Sequence, residues 1–317
     1  MKYLTFSNGD LMPALGLGTW KSAKGEIYNT IRTALEIGYR HFDCAFIYDN
    51  EREIGQAFAD ALKNNEVKRE DLWITSKLWN NRHRTEDVQP AIEKSLRLLQ
   101  VEYLDLYLIH WPIALVRSVN YPQKAEDMIS LNDLPLSQTW QAMIDMKTKG
   151  LTRHIGLSNF SIKKISALRD ETGVMPEALQ VELQPFLQQK TLLDFAQQNN
   201  IALTGFCPLG SADRPASRVS ANEPRLFENE TILAIAQEKN CTAAQVMLAW
   251  AVNRGTSVIP KSVQEHRLRE NLAAADIVLS AEQMDRMAQL DQHYRYIKGD
   301  FWCLEGTDYT VENLWDE

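Results

Sequence analysis

One pattern constrains this chain more than any other: a short apolar run followed by a stretch with helical spacing, repeated eight times. The runs are ALGLGT, RHFDCA, LWITSK, LDLYLIH, HIGLSN, LQVELQ, ALTGFCP and SVIPKS, from Ala14 to Ser262. Strands that are apolar throughout belong to a parallel sheet covered on its outer face, because a half-exposed strand alternates instead. After the second run Ile54, Phe58 and Leu62 recur every four residues. After the third, Val88, Ile92, Leu96 and Leu99 follow the same spacing, which is that of an amphipathic helix. Asn50, with Glu53 three residues later, reads as a capping box opening the first of these helices. Eight such units within 317 residues favour an α/β fold of the closed (β/α)8, or TIM, barrel type over an open doubly wound sheet.

The chain reads as one domain spanning residues 1–317. Residues 1–14 form an N-terminal hairpin turning at Asn8-Gly9, placed to plug the bottom of the barrel. Three segments exceed ordinary connection lengths. They run from Pro112 to about Leu136, from Leu209 to about Phe227, and along an aromatic-rich tail at 293–317. Two of them directly follow strands, on the face where barrel enzymes carry their active sites.

Charge and cysteine usage remove several classes of function. A net charge of −8 is unsuited to nucleic acid, which needs a clustered basic face. No apolar run reaches the length of a membrane span, and the N-terminal residues lack the apolar core of a signal peptide. Cys44, Cys207, Cys241 and Cys303 are scattered, with no C-x-x-C pair and no histidines at zinc-ligand spacing. These features point to a cytoplasmic protein with reduced thiols and no catalytic metal.

The informative residues end the strands. Strand two ends on Asp43, strand three on Lys77, strand four on His110, strand five on Ser158 and Asn159, strand six carries Gln180, and strand eight ends on Lys261 and Ser262. Each is costly to bury unpartnered, and a barrel brings all of them to one mouth. Taken singly they have structural readings: a buried Asp43–Lys77 ion pair, a satisfied core histidine, a Ser/Asn helix cap. Their coincidence at matching positions is the functional signal.

Tyr48 follows Asp43 in a short loop. A free phenol with a pKa of ~10 holds its proton too tightly for ready transfer. A lysine cation at ~4 Å, at an effective dielectric of ~20, stabilises the phenolate by about 4 kcal/mol, or roughly three pKa units. Asp43 then holds Lys77 charged and aimed, offsetting part of that gain, and Tyr48 becomes a general acid. His110 is the rival donor, but beside Lys77 its protonated form is repelled. It is expected neutral, orienting a substrate carbonyl by hydrogen bonding.

Carbonyl chemistry with a proton donor needs an electron source, for which a nicotinamide cofactor is the natural supply. The Rossmann fingerprint is absent, since Gly16-Leu17-Gly18 breaks off before a third glycine, so barrel loops must hold any dinucleotide. IPKSVQEHRLREN, Ile259 to Asn271, places Lys261 and Ser262 just before a helix, where barrels often bind phosphate. Arg267 is placed to stack on adenine or pair with an added phosphate. A solvated helix face is the alternative.

GYRHFDCA with Tyr48 and the E-x-x-I-G of Glu51 to Gly55, ITSKLW around Lys77, DLYLIHWP around His110, GLSNF from Gly156, and IPKS together resemble the aldo-keto reductase superfamily, in unbroken order over nearly the whole chain. The resemblance implies a (β/α)8 barrel that binds NADPH or NADP+ in extended form, with NADH a weaker alternative. It assigns a catalytic tetrad to Asp43, Tyr48, Lys77 and His110, with Tyr48 the proton donor. Thr19, Trp20 and Asp43 match cofactor-facing positions, and Ser158, Asn159 and Gln180 match those facing the carboxamide. The ring stacked on nicotinamide is commonly a tyrosine; here Phe206 takes that place. Pro208, Leu209, Ser211 and Asp213 match the loop over the pyrophosphate. Lys261, Ser262, Val263 and Arg267 match the 2′-phosphate clamp, with Glu270 and Asn271 near the adenine. The resemblance is greatest to aldose, xylose and aldose-6-phosphate reductases. The substrate wall is expected from Trp20, Phe46, Tyr48, Trp79, His110, Trp111 and Trp302, since aromatic rings pack on a carbon chain or the apolar face of a sugar.

The resulting expectation is an NADPH-dependent aldehyde or aldose reductase, a monomer or homodimer acting on a small molecule. A cofactor-sensing regulatory subunit of the same fold, and a sugar-phosphate isomerase or lyase barrel, are the rivals.

Overall fold

The computed structural model describes residues 2–211, 214, 219–220 and 222–317. The eight expected runs form one parallel sheet: β1 (Leu17–Gly18), β2 (His41–Asp43), β3 (Trp73–Leu78), β4 (Leu104–Ile109), β5 (Thr152–Ser158), β6 (Ala178–Glu182), β7 (Ala202–Phe206) and β8 (Ser257–Val258). Each strand pairs with its neighbours in sequence. The first and last then meet: Gly16 N–H donates to Val258 O at 2.9 Å, Gly18 N–H to Pro260 O at 3.1 Å, and Val258 N–H to Ala14 O at 2.8 Å. The sheet is thereby closed into the (β/α)8 barrel. The eighth strand is shorter than its apolar run because Pro260 has no N–H to continue the ladder.

Helices α1 (Ile27–Ile37), α2 (Glu51–Lys63), α3 (Thr85–Leu99), α4 (Leu136–Thr148), α5 (Ile162–Thr172) and α6 (Lys190–Gln198) cross between the first seven strands. Helices α7 (Glu230–Lys239) and α8 (Ala243–Asn253) together connect β7 to β8, and α9 (Glu265–Ala273) follows β8. Ile54 and Phe58 of α2, and Val88, Ile92, Leu96 and Leu99 of α3, are buried as their spacing predicts. Gly55 lets these two helices approach closely: a Cβ there would lie 2.1 Å from Leu98 O. The expected capping box does not form. The Asn50 amide instead donates to Thr19 O at 2.9 Å, and Glu53 accepts from Gly25 N–H at 2.8 Å. Both tie the start of α2 to the loop after β1.

The N-terminal hairpin pairs Tyr3–Thr5 with Leu11–Pro13 through a turn in which Gly9 has φ 90°. Phe6 and Met12 pack with Trp73, Leu106, Leu108 and Ala178, sealing the amino end of the strands. At the opposite end the segment after β4 folds into a small hairpin, Ala114–Leu115 with Met128–Ile129. Beyond α10 (Ala281–Ala288) the tail contains a 3-10 turn, Asp300–Trp302, and α11 (Val311–Trp315). Tyr309 joins tail to hairpin: its hydroxyl donates to Ile129 O at 2.8 Å and accepts from Ala114 N–H at 3.2 Å. Among the described residues no helix is long and apolar enough to cross a membrane.

Candidate active site

The strand ends surround a cavity of about 290 Å³. Lys77, from the end of β3, is buried with its Nζ committed to three oxygens: Asp43 Oδ2 at 2.6 Å, Cys44 O at 2.9 Å and Tyr48 Oη at 3.5 Å. Gln180 Nε2 donates to the other Asp43 oxygen at 2.7 Å. Thr19 Oγ1 donates to Asp43 O at 2.8 Å. Asp43 thus has both carboxylate oxygens and its carbonyl engaged, which is what a buried carboxylate needs to persist charged.

Tyr48 sits at the end of a one-turn 3-10 helix, Phe46–Tyr48. Its ring meets His110 edge-on, centroids 5.8 Å apart and planes at 77°. The phenol departs from the sequence expectation. Its pKa lies well above the ordinary value, pushed up first by burial and then by the Asp43 charge. Burial disfavours the phenolate, and the Asp43 carboxylate, 2.6 Å from Lys77 Nζ against 3.5 Å for the phenol, offsets part of the ammonium's attraction. His110 behaves as expected, though the larger cause is different: burial depresses its pKa well below the usual value, and Lys77 adds to this. A proton-holding phenol thus faces a neutral imidazole.

Ser158, Asn159 and Gln180 line the cavity beside them. Asn159 has φ 65°; its amide donates to His110 O at 2.9 Å, while its Oδ1 is buried without a partner. Phe206, Pro208, Leu209 and Ser211 continue the lining from the end of β7, and Lys261 closes the far side. Trp20, Trp79, Trp111 and Trp302 form the aromatic wall, with Trp302 5.9 Å from Trp79 and 5.8 Å from Trp111 between centroids.

Other expected residues stand elsewhere. Phe46 does not line the cavity: the 3-10 turn carries Ile47 and Tyr48 to the mouth and leaves Phe46 under the Lys94 ammonium, 4.4 Å from its ring centroid. Ser262, Val263, Arg267, Glu270 and Asn271 also lie off the lining. Ser262 and Val263 precede α9 and Arg267, Glu270 and Asn271 lie along it, with Arg267 exposed and Asn271 buried. Ser262 Oγ accepts from Gln264 N–H at 3.2 Å. Asp213 lies outside the described residues. Ile47, Tyr121, Cys207 and Ile297, which the sequence did not single out as site residues, also line the cavity, as does Phe301 of the aromatic tail. Tyr121 and Phe301 fall in the long segments after β4 and in the tail. Ile47 and Cys207 carried no signal beyond adjacency to Tyr48 and Phe206. Among the described residues no His, Cys, Asp and Glu cluster could hold a metal ion.

Comparison with known proteins gives the same assignment. The profile of the aldo/keto reductase family matches residues 14–292, leaving outside it the N-terminal hairpin and the tail. An aldo/keto reductase of Synechocystis sp. is 51% identical over 317 residues, covering 100% of this chain and 97% of its own. Aldo-keto reductase family 1 member A1 of Sus scrofa is 44% identical over 291 residues, 91% of this chain and 89% of its own. The Homo sapiens protein of that name is 43% identical over the same shares. A closed eight-stranded barrel with these strand-end residues, matched over almost its full length, makes this chain a member of the aldo/keto reductase family.

Proposed function

We propose that the protein is an NADPH-dependent reductase of aldehydes, aldose sugars among them, acting as one domain of residues 1–317. The observation that carries this reading is the Lys77 ammonium between Asp43 and Tyr48, with His110 across an aromatic-walled cavity.

The residues present suit a nicotinamide dinucleotide. The unpartnered, buried Asn159 Oδ1 is an acceptor waiting for an amide donor, and Ser158 and Gln180 stand beside it. Phe206 offers a ring face at the same wall. Ser211, Lys261 and the start of α9 would take the phosphates, with Arg267 reaching the 2′-phosphate. Bound there, NADPH supplies the hydride.

His110 Nε2 is the side of that ring open to a substrate carbonyl, since Nδ1 is buried. Kept neutral, the imidazole donates a hydrogen bond that orients the carbonyl oxygen and stabilises negative charge on it. Tyr48 gives its proton to that oxygen as the charge develops. A raised phenol pKa suits this role, because the donor stays protonated until it meets a still stronger base. Lys77 then stabilises the phenolate left behind, and Asp43 keeps Lys77 in place. Trp20, Trp79, Trp111 and Trp302 hold the rest of the aldehyde and exclude water.

The test is Tyr48→Phe. It should lower kcat by at least about 1000-fold, within the reach of a lost general acid, while NADPH affinity by fluorescence quenching is retained. Full turnover in that variant ends the assignment. Arg267→Ala addresses the cofactor: loss of a charge-assisted phosphate contact should weaken NADPH about tenfold or more and leave NADH nearly unchanged. An unaltered NADPH-to-NADH affinity ratio would remove Arg267 from the clamp.

A further inference from the structure

Glu182 ends β6, two residues beyond Gln180, and is fully buried. The proton-transfer scheme makes no use of it. A carboxylate in such a place needs both oxygens satisfied, and the tail backbone does this. Oε1 accepts from Tyr296 N–H at 2.8 Å and Oε2 from Ile297 N–H at 2.7 Å. Burial raises its pKa, and these two N–H groups together with the Arg295 charge hold the rise in check.

The two tail residues held in this way point to different tasks. Ile297 lines the cavity, followed along the tail by Phe301 and Trp302. Tyr296 packs under the loop after β7. Its hydroxyl donates to Pro224 O at 2.7 Å, and the Arg214 guanidinium lies 4.9 Å from its ring centroid. A Cβ placed on Gly210 would be 3.6 Å from the ring. Arg214 also donates to Ser211 O at 3.0 Å and pairs with Glu223. Gly210 and Ser211 belong to the loop that the proposed function gives to the dinucleotide. One carboxylate therefore fixes adjacent residues of which one meets the aldehyde and the other supports the cofactor loop.

We propose that Glu182 is a positioning residue that locks the substrate wall and the cofactor-covering loop into one relative setting, coupling aldehyde binding to dinucleotide binding. This rests on the reading of the cavity given above. Because one carboxylate supports both adjacent residues, whatever loosens it should weaken both ligands together.

Glu182→Gln tests it. The variant keeps the size of the side chain, but its amide can accept from only one of the two N–H groups and turns an NH2 toward the other. With the full chain, kcat and KM are measured with glyceraldehyde and with 4-nitrobenzaldehyde, and NADPH affinity by fluorescence quenching. Loss of one charge-assisted bond should raise KM for the aromatic aldehyde and weaken NADPH, each about tenfold, with kcat for glyceraldehyde within about twofold. A uniform fall in kcat with KM and NADPH affinity unchanged, or no change at all, overturns the proposal. Should that variant fail to fold, Arg214→Met loosens the loop at Tyr296 without touching the barrel. It should still raise KM for the aromatic aldehyde several-fold, although Arg214 does not line the cavity; an unaltered KM is a refutation. Wild-type protein that neither binds nor oxidises NADPH would sink the functional reading itself, whereas wild-type turnover with indifferent variants sinks only the coupling.

Discussion

The Tyr48 hydroxyl and the His110 imidazole are both held in their neutral forms, and chiefly by the same cause, burial. Burial lifts the phenol pKa, helped by Asp43, and depresses the imidazole pKa, helped by Lys77. The two shifts move in opposite directions away from neutrality. The rate of aldehyde reduction should therefore show no inflection from either group between about pH 6.5 and about pH 10, their ordinary values. A pH profile of kcat/KM with an inflection near neutrality that disappears in His110→Asn would contradict this. At this scale the sequence was readable wherever a polar residue closed an apolar run, because burying Asp43, Lys77, His110 or Gln180 demands a partner. It was silent where the side chain is apolar or the backbone unusual. Ile47 displaces Phe46 from the wall by one step of a 3-10 turn, and Cys207 reaches the cavity from a backbone at φ 48°. The direction of the Tyr48 shift differs from the sequence expectation because burial of the phenol, which that expectation left out, is the largest cause and the Asp43 charge adds to it.

Among the elements, α2 begins three residues after Tyr48, the proton donor of the proposed function, and so bears on its position. Its setting is fixed at both ends of its first turn by side chains that sequence alone had put to another use. Asn50 and Glu53 have the spacing of a capping box, yet each finds a more distant backbone partner in the loop after β1. Local propensity loses here to tertiary contacts that no local pattern encodes. Gly55, by contrast, is a constraint visible in the motif whose reason needs the packing: there is no room for a Cβ between α2 and α3. Gly55→Ala should destabilise the protein by about 2 to 3 kcal/mol, the usual cost of overpacking a tight interface, read as a lower urea midpoint. Unchanged stability would mean that α2 can slide on α3. The strands themselves were the most legible elements, because eight runs buried on both faces leave a continuous apolar signature.

For the molecule as a whole, the two ends of the barrel are closed by parts of the chain outside the repeat. At the bottom His154 lies between Asp10, 2.8 Å from Nε2, and Glu177, 2.9 Å from Nδ1. Burial alone would raise both carboxyl pKa values. The bonds to His154, with Arg153 beside Asp10 and Lys147 beside Glu177, bring them below the ordinary 3.8 and 4.5. A depressed carboxyl contributes stability above its unfolded value and loses it as pH falls through the folded value. The contribution of this pair to the urea midpoint should thus hold from neutrality to about pH 5 and be lost below it. Asp10→Asn should lower the midpoint at neutrality and flatten the acid fall; identical curves would show that the hairpin is not held this way. Barrel and mouth were legible from the repeat, and the resemblance put Trp302 of the tail at the wall, where it lies; the packing of the rest of the tail was not legible, since aromatic content announces burial without saying against what. The closure between β1 and β8 has a consequence of its own. Both strands are two residues long, so the cylinder has a zip with few teeth there, and its amides should exchange with deuterium sooner than those of the six-residue staves β3 and β4. Thr19 and Trp20 extend one edge of that zip and Lys261 the other, so a long molecule laid across it would act as a clasp, slowing the exchange of Gly16, Gly18 and Val258 in particular.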